Sequence, residues 1–231
     1  MEQMEKNLLK TVADISGFMP GSAFSLRKNG AGVERHSTEH VKILAKTDKP
    51  GIDIIVDANT VGESIHIPVI LTDSGIQDMV YNDFYIGEGA DVEIVAGCGI
   101  HNDGCDTSQH DGIHTFHIGR NASITYTEKH YGEGSGSGGR ILNPTTVIHM
   151  EEGSFAKMDM SQIKGVDSTF RKTEANLGAS AKLVINEKLM THGEQKAHGE
   201  SEWRGQRCSD CFPICGKRYF RAGVSSDRSG K

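Results

Sequence analysis

The side chains most able to do chemistry are concentrated in one short segment of this sequence. It holds two thiols and four imidazoles within twenty residues, namely Cys98, His101, Cys105, His110, His114 and His117. Thiolate and imidazole are common ligands of zinc, iron and copper. The spacing C-x2-H-x3-C-x4-H-x3-H-x2-H matches no standard metal motif, and on a strand His114 and His117 would point to opposite faces. One site that holds all six is therefore not expected.

Two smaller sites remain as predictions for this segment. The first is a metal site formed by Cys98, Cys105 and His101. The second, which the chemistry favours, is a transient thiol role for Cys98, because thiolates carry sulfur and bind iron. The remaining histidines are expected at exposed positions or in hydrogen bonds with the backbone of turns.

Two other motifs carry less chemistry. The glycine-rich run at residues 131–140 lacks the Gly-Lys-Ser/Thr ending of a phosphate-binding loop, and no helical pattern follows it, so it is interpreted as a flexible turn between coils. Near the C-terminus, Cys208, Cys211 and Cys215 have the spacing of a zinc or iron–sulfur knuckle. The alternating pattern stops after Glu202, so this spacing is interpreted as accidental.

The charge is distributed unevenly along the 231 residues. Residues 1–203 carry 29 acidic and 18 basic side chains, a net charge of −11, whereas residues 204–231 carry a net charge of +5. An acidic body argues against nucleic acid as a partner. The apolar runs are too short to span a membrane, and residues 1–10 lack a signal-peptide core. A cytoplasmic location is therefore expected.

The hydrophobic pattern predicts a mainly β protein. Helical spacing over residues 2–15 predicts one short helix. Short alternating runs, separated by Gly, Asn and Asp, then predict many strands. The clearest runs are residues 64–70, 92–95, 124–127, 146–149 and 181–185.

A repeated turn precedes several of these strands. The small residues that lead into each strand, 32, 32 and 25 residues apart, are Ala90, Ala122, Ser154 and Ala179. Such intervals are typical of the stacked coils of a solenoid, with Gly or Asn in the left-handed turn conformation. The prediction is an all-β, right-handed parallel β-helix with a short N-terminal helix and an irregular C-terminal tail. A β-sandwich is the alternative.

Several linked motifs resemble those of the SufB/SufD family of iron–sulfur cluster assembly proteins. They are Gly97-Cys98-Gly99, then Ser108-Gln109-His110, a strand, and Asn121-Ala122-Ser123-Ile124-Thr125-Tyr126-Thr127. The runs at residues 110–114 and 128–134 are similar to the shorter, SufD-like members, and Ala96 stands where SufB proteins usually carry Glu. The resemblance covers roughly residues 5–202. It implies a right-handed parallel β-helix that acts as a scaffold together with the ATPase SufC.

The resemblance also implies roles for individual residues. Cys98 matches the Gly-Cys position that handles sulfur in the family, and His110 and His114 are the other candidates for handling sulfur or a cluster. The implied cargo is a transient iron–sulfur cluster. The implied partners are a SufC-type ABC ATPase and either a SufB/SufD-type sister subunit or a second copy of this chain. No stretch of this sequence matches the family's C-terminal cluster-building Cys or His, or its SufC-binding helices.

The C-terminal residues are predicted to have a different origin. Codons can be chosen for residues 203–231 so that a one-base shift encodes a β-like alternating sequence similar to the family's next coil. Residues from about Trp203 are therefore interpreted as a poorly ordered, out-of-frame run. The resulting division is an N-terminal helical segment at 1–20, a β-helix core at 21–202 and a tail at 203–231.

Three functions can be compared on these grounds. The leading hypothesis is a scaffold or accessory subunit for iron–sulfur cluster assembly, which is not itself an enzyme. The alternative, a β-helix enzyme acting on acidic polysaccharide, would line a groove with carboxylates, and the acidic body opposes such a substrate. The carboxylates considered for it are Asp57, Asp73, Asp78, Asp83 and Glu88. A left-handed hexapeptide acyltransferase would need a strict six-residue period, which the sequence does not have.

Overall fold

The computed structural model describes residues 1–15, 17, 19–189, 196–205, 213–214 and 217–221. These residues form one α-helix and seventeen strands: α1 (Gln3–Ala13), β1 (Ala23–Lys28), β2 (Ala31–His36), β3 (Val41–Ala45), β4 (Gly51–Val56), β5 (Val61–Leu71), β6 (Gln77–Ile86), β7 (Asp91–His101), β8 (Ser108–Ile118), β9 (Ser123–Glu133), β10 (Arg140–Leu142), β11 (Thr145–Met150), β12 (Phe155–Lys164), β13 (Ser168–Leu177), β14 (Lys182–Leu189), β15 (Lys196–Gly205), β16 (Pro213–Ile214) and β17 (Lys217–Arg221).

The strands form two sheets that the chain visits in turn. Their orders are β16-β17-β14-β12-β9-β7-β5-β1-β2 and β10-β13-β11-β8-β6-β4-β3, with β15 beside β13. From β5 onward, successive coils pair in parallel, as in β5 with β7, β7 with β9 and β6 with β8. This is a parallel β-solenoid of about four turns. The prediction of a parallel β-helix rather than a sandwich is confirmed.

The N-terminal end of the solenoid is covered by two antiparallel hairpins. One hairpin is β1 with β2, and the other is β3 with β4. β1 and β4 then continue the two sheets by pairing in parallel with β5 and β6. The hairpins therefore cover the edges of the first complete coil, which would otherwise be free to pair with another chain.

Five equivalent turns stack on one another along the solenoid, and each contains one residue in the left-handed conformation. The residues in this column, with φ between 56° and 71°, are Asn59, Gly89, Asn121, Gly153 and Ser180. Phe155 pairs with Lys182, so the small residue equivalent to Ser154 is Ala181 and not the predicted Ala179. The prediction was wrong by two residues because Ser180, rather than Gly178, occupies the left-handed position.

Asparagine and glycine alternate in this column for a steric reason. A Cβ atom on Gly89 would lie 2.6 Å from Oδ1 of Asn59, and one on Gly153 would lie 2.3 Å from Oδ1 of Asn121. The side chain of each asparagine thus occupies the space next to the glycine at the equivalent position of the following coil, which has no side chain.

Side chains that point into the lumen form the core. Phe84 and Phe116 stack with ring centroids 4.3 Å apart, and Tyr126 meets Phe116 edge-on at 5.0 Å. All three are fully buried, and each such burial contributes about 1.5–3 kcal/mol. This apolar stack fills the lumen beside the C-terminal halves of β6 and β8.

Helix α1 covers the outer face of the sheet that contains β5, β7 and β9. Its residues Leu8, Leu9 and Val12 are buried there. The approach is close, because a Cβ atom on Gly97 would lie 2.2 Å from the carbonyl oxygen of Val12. The predicted helix is confirmed and spans Gln3–Ala13. Within the described ranges, no helix is long and apolar enough to cross a membrane.

The glycine-rich segment is a turn whose backbone stacks on the loop of the preceding coil. Gly136 N donates to the carbonyl oxygen of Asn102 (3.1 Å), and Gly138 N donates to that of Gly104 (3.0 Å). A Cβ atom on Gly136 or Gly138 would lie 2.2 Å from a carbonyl oxygen of that loop. Close packing of backbone on backbone is therefore the reason for these glycines.

The last described strands extend beyond the predicted end of the core. Strand β15 extends to Gly205. It pairs with β13 in unbroken parallel register over its whole length, with Trp203 opposite Ala175. β17 pairs antiparallel with β14. The predicted boundary after residue 202 therefore falls inside a strand. Cys208, Cys211 and Cys215 lie outside the described residues, and the out-of-frame origin of the tail stays a prediction.

Candidate functional site in the lumen

A small polar cavity, the lumen chamber, lies between the two sheets in the middle coils. Its polar lining is Cys98, His110, His114, Glu128 and His130. The cavity volume is about 20 Å³, which is room for about one water molecule. Strands β7, β8 and β9 supply these side chains, so the chamber brings together two consecutive coils.

The sequence around Cys98 directs its thiol into the lumen. From Ile94 to Ile100, strand β7 is buried on both faces, because α1 packs on the outer one. Side chains alternate, so Val95 contacts the helix cluster while Ala96 joins the inner core. Cys98 follows Ala96 on the inner face, where it packs with Leu71 and Ile100.

His110 is held by a charged pair. Its Nδ1 atom lies 3.0 Å from Oδ2 of Asp78. The Asp78 carboxylate also accepts hydrogen bonds from Arg27, whose Nε donates to Oδ2 and whose Nη2 donates to Oδ1. Burial raises the pKa of Asp78, but His110 and Arg27 outweigh it and hold that pKa well below the usual range. Because Asp78 is ionised, Nδ1 of His110 donates to it.

Gly112 leaves space between two imidazoles. A Cβ atom on this residue would lie 3.2 Å from Nε2 of His110 and 3.5 Å from Nε2 of His114. Any larger residue at this inward position would therefore reduce the chamber.

Glu128 is a buried carboxylate in the wall of the chamber. Its Oε2 atom lies 2.8 Å from Nη1 of Arg171, and Nε2 of His130 lies 3.4 Å from its Oε1. Burial raises the pKa of Glu128, yet the charge of Arg171 and the contact with His130 hold it well below the usual range. Glu128 is therefore ionised inside the protein, paired with a cation as buried charges require.

A chain of hydrogen bonds fixes the state of His114. Nδ2 of Asn82 donates to Nε2 of His114 (3.3 Å), so Nδ1 carries the proton and donates to the hydroxyl of Tyr126 (2.9 Å). Tyr126 in turn donates to Oε1 of Glu128 at 3.4 Å. Burial lowers the pKa of His114 to about 4. His114 is thus neutral with both nitrogens occupied, and it positions Tyr126 and Glu128.

Cys98 and His130 carry the groups of the chamber that remain open to chemistry. They face each other across neighbouring coils, in register on β7 and β9. Nδ1 of His130 is buried and has no hydrogen-bond partner. Burial, reinforced by the negative charges of Asp78 and Glu128, raises the pKa of the Cys98 thiol well above its usual value. The thiol is therefore protonated near neutral pH.

The other predicted metal ligands lie apart from this chamber. Nε2 of His101 contacts Asp103 at 2.9 Å and its Nδ1 contacts Glu133 at 3.3 Å. Cys105 is exposed, whereas Cys98 is buried. In the part of the chain that the structure describes, no group of three or more His, Cys, Asp or Glu side chains is arranged to hold a metal ion. The structure thus brings Cys98 together with His110 and His114, but not with Cys105 and His101.

Several residues of the site were not singled out by sequence reasoning. They are Arg27, Asn82, Tyr126, Glu128, His130 and Arg171. For Tyr126, Glu128 and His130 the sequence does contain a pattern. Together with Ile124 they occupy every second position of one strand, so the buried Ile124 places all three on the inner face. No comparable pattern links Arg171 to Glu128.

A second concave surface lies on the outside of the solenoid. This outer groove has a volume of about 700 Å³. The rings of Tyr85 and His117 stack on its floor at 4.9 Å, and those of His117 and His149 stack at 5.2 Å. Glu151 is the carboxylate among the described residues that line it.

Fold and site together define a parallel β-solenoid with an ionised polar chamber in its lumen. No protein-family model, curated protein or solved structure matches the chain. The likeness of its motifs to SufB/SufD proteins therefore stays a prediction.

Proposed function

We propose that this chain is an accessory or scaffold subunit of iron–sulfur cluster assembly of the SUF type, and that Cys98 carries sulfur within the lumen chamber. The observation that supports the proposal is that the Cys98 thiol and the side chains of His110 and His130 line one enclosed cavity. Thiolate and imidazole are the ligand types that sulfide and iron chemistry uses.

The size of the chamber limits what it can hold. About 20 Å³ accommodates one small atom or molecule but not a cluster of several iron and sulfur atoms. The chamber therefore suits a persulfide on Cys98. In forming it, the Cys98 sulfur attacks the outer sulfur of a donor persulfide, the donor thiolate leaves, and the thiol proton passes to that leaving group.

Cluster formation itself would need partners in this proposal. We expect a SufC-type ABC ATPase to supply the energy and a SufB/SufD-type sister subunit, or a second copy of this chain, to supply further ligands. The iron–sulfur cluster is then a transient cargo, and the chain is not an enzyme on its own.

Sulfur loading tests this proposal directly. The protein is incubated without oxygen with inorganic polysulfide, alone and with the partner ATPase, and peptide mass spectrometry locates added sulfur. We expect one extra sulfur atom on Cys98, unchanged loading in Cys105→Ser and none at residue 98 in Cys98→Ser. Visible absorbance after addition of iron and sulfide should depend on Cys98 when the partners are present. Absence of sulfur on Cys98 under both conditions would refute the proposal.

The outer groove is the observation that favours a polysaccharide-active enzyme as a second candidate. However, hydrolysis of a glycosidic bond uses two carboxyl groups, and Glu151 is the carboxylate among the described lining residues. Asp78 and Asp83 are held by Arg27 and Lys46 respectively. The scaffold function therefore remains the better supported of the two.

A further inference from the structure

The N-terminal end of the lumen opens into a cavity whose charge is opposite to that of the rest of the body. This cavity, the basic mouth, has a volume of about 210 Å³ and lies between the two N-terminal hairpins and strands β5 and β6. Its charged lining consists of Arg27, Arg35, Lys46 and Lys49, and none of the described residues that line it is a carboxylate. Residues 1–203 together, these four cations included, carry a net charge of −11.

Two of the four cations are already neutralised. Arg27 makes a bidentate ion pair with Asp78, and Lys46 is held between Asp53 and Asp83 behind the wall of the mouth. Arg27 and Asp78 together have no net charge, and Lys46 is outnumbered by its two carboxylates, so the net positive charge of the mouth comes from the other two cations.

The other two cations are not in ion pairs within the described chain. Lys49 lies with its ammonium group 4.6 Å from the ring centroid of Tyr81, which holds the side chain in place. Arg35 stands opposite Ser25 in the β1–β2 hairpin, and both line the cavity. The cavity is thus lined by a planar guanidinium that can bind two oxygens and by an ammonium point charge, both of which are donors used for oxyanions.

We propose that the basic mouth binds a small dianionic oxyanion, either inorganic phosphate or sulfate, or the terminal group of a phosphate monoester. Arg35 and Lys49 supply the charge, and Ser25 supplies a neutral hydrogen-bonding group in the lining of the same cavity. At about 210 Å³ the cavity is smaller than the usual pocket for a drug-sized ligand, so a nucleotide or a polymer does not fit inside it. This inference does not depend on the proposed sulfur chemistry.

The walls of the mouth and of the lumen chamber are shared. Ile67 and Val69 line both cavities, so these two side chains lie between the mouth and the chamber that holds Cys98.

Calorimetric titration of the full chain tests the proposal. Inorganic phosphate, sulfate and glycerol phosphate are titrated separately at an ionic strength held constant with chloride. We expect saturable binding that weakens about tenfold in Arg35→Gln and in Lys49→Gln, because each removes a charge-assisted hydrogen bond. Lys42→Gln is the matched control, since Lys42 is exposed, does not line the mouth and donates to the backbone carbonyl oxygens of Thr38 and Glu39.

The outcomes separate the possibilities. Tight binding of glycerol phosphate identifies a monoester as the ligand, whereas binding of phosphate and sulfate alone identifies a free anion. No binding above the chloride background overturns the proposal. An equal loss of affinity in Lys42→Gln also overturns it, because the attraction would then be a property of the whole surface. Arg35→Lys keeps the positive charge but cannot bind two oxygens in one plane. Its affinity for the anion should therefore lie between those of Arg35→Gln and the parent protein.

Discussion

Glu128 on β9 and Arg171 on β13 form an ion pair inside the lumen, with Oε2 and Nη1 2.8 Å apart and both side chains almost fully buried. The two residues lie on opposite sheets and on successive coils. Their pairing allows a carboxylate to stay ionised next to the lumen chamber, where it anchors Tyr126 and His130. The polar interior is therefore a connected network, in which the removal of one member leaves another unpaired.

Replacement of Arg171 by Met tests this connection. The variant leaves the Glu128 carboxylate buried without a cation, so we expect the free energy of unfolding to fall by about 3–5 kcal/mol. The double variant Glu128→Gln/Arg171→Met should recover most of the loss. Urea denaturation measures both, and Arg120→Met, which breaks the exposed pair with Glu152, should cost less than about 1 kcal/mol. Equal losses for the buried and exposed pairs would contradict the network.

The buried His114 should make the protein less stable in mild acid. Its folded pKa of about 4 lies below the value of about 6.5 for an unfolded chain, so the unfolded state binds more protons between these values. Stability contributed by neutral His114 is thus present above about pH 6.5 and is lost as the pH falls toward 4, by up to about 3 kcal/mol.

Denaturation curves at several pH values measure this loss. His114→Gln should flatten the dependence of the unfolding free energy on pH. An unaltered pH profile in His114→Gln would show that another group is responsible.

Opposite effects are expected from two substitutions in the column of left-handed turns. Ser180→Gly removes a side chain from a residue with φ of 57° and should stabilise the protein by about 1 kcal/mol. Gly153→Ala should destabilise it by more than this, since the new methyl group would meet Oδ1 of Asn121. Thermal unfolding of the two variants and the parent gives the comparison. A stabilising Gly153→Ala would refute the steric account of the column.

The two described cysteines should differ strongly in reactivity. Cys105 is exposed, whereas Cys98 is buried with a raised pKa, so a bulky alkylating reagent should modify Cys105 rapidly and leave Cys98 intact until the protein unfolds. Peptide mapping of protein alkylated with and without denaturant distinguishes the two positions. Comparable labelling of both in the native state would mean that the chamber is open to large molecules.

The local features of this fold were predictable because they depend on neighbours in the chain. Alternation over residues 124–127 defines a strand with one buried face, and the Asn or Gly before each strand tolerates a left-handed turn that other residues resist. Ser180 shows the limit of this reasoning, since stacking on the coil before it imposes a conformation that serine does not favour by itself.

The sequence alone therefore determined the class of fold and the short helix. Only the tertiary structure decided which side chains share the lumen. Glu128 and Arg171 lie 43 residues apart, and they meet because the lengths of the intervening turns set the register of one coil on the next. That register is decided by packing across both sheets at once, and no local pattern of residues contains it.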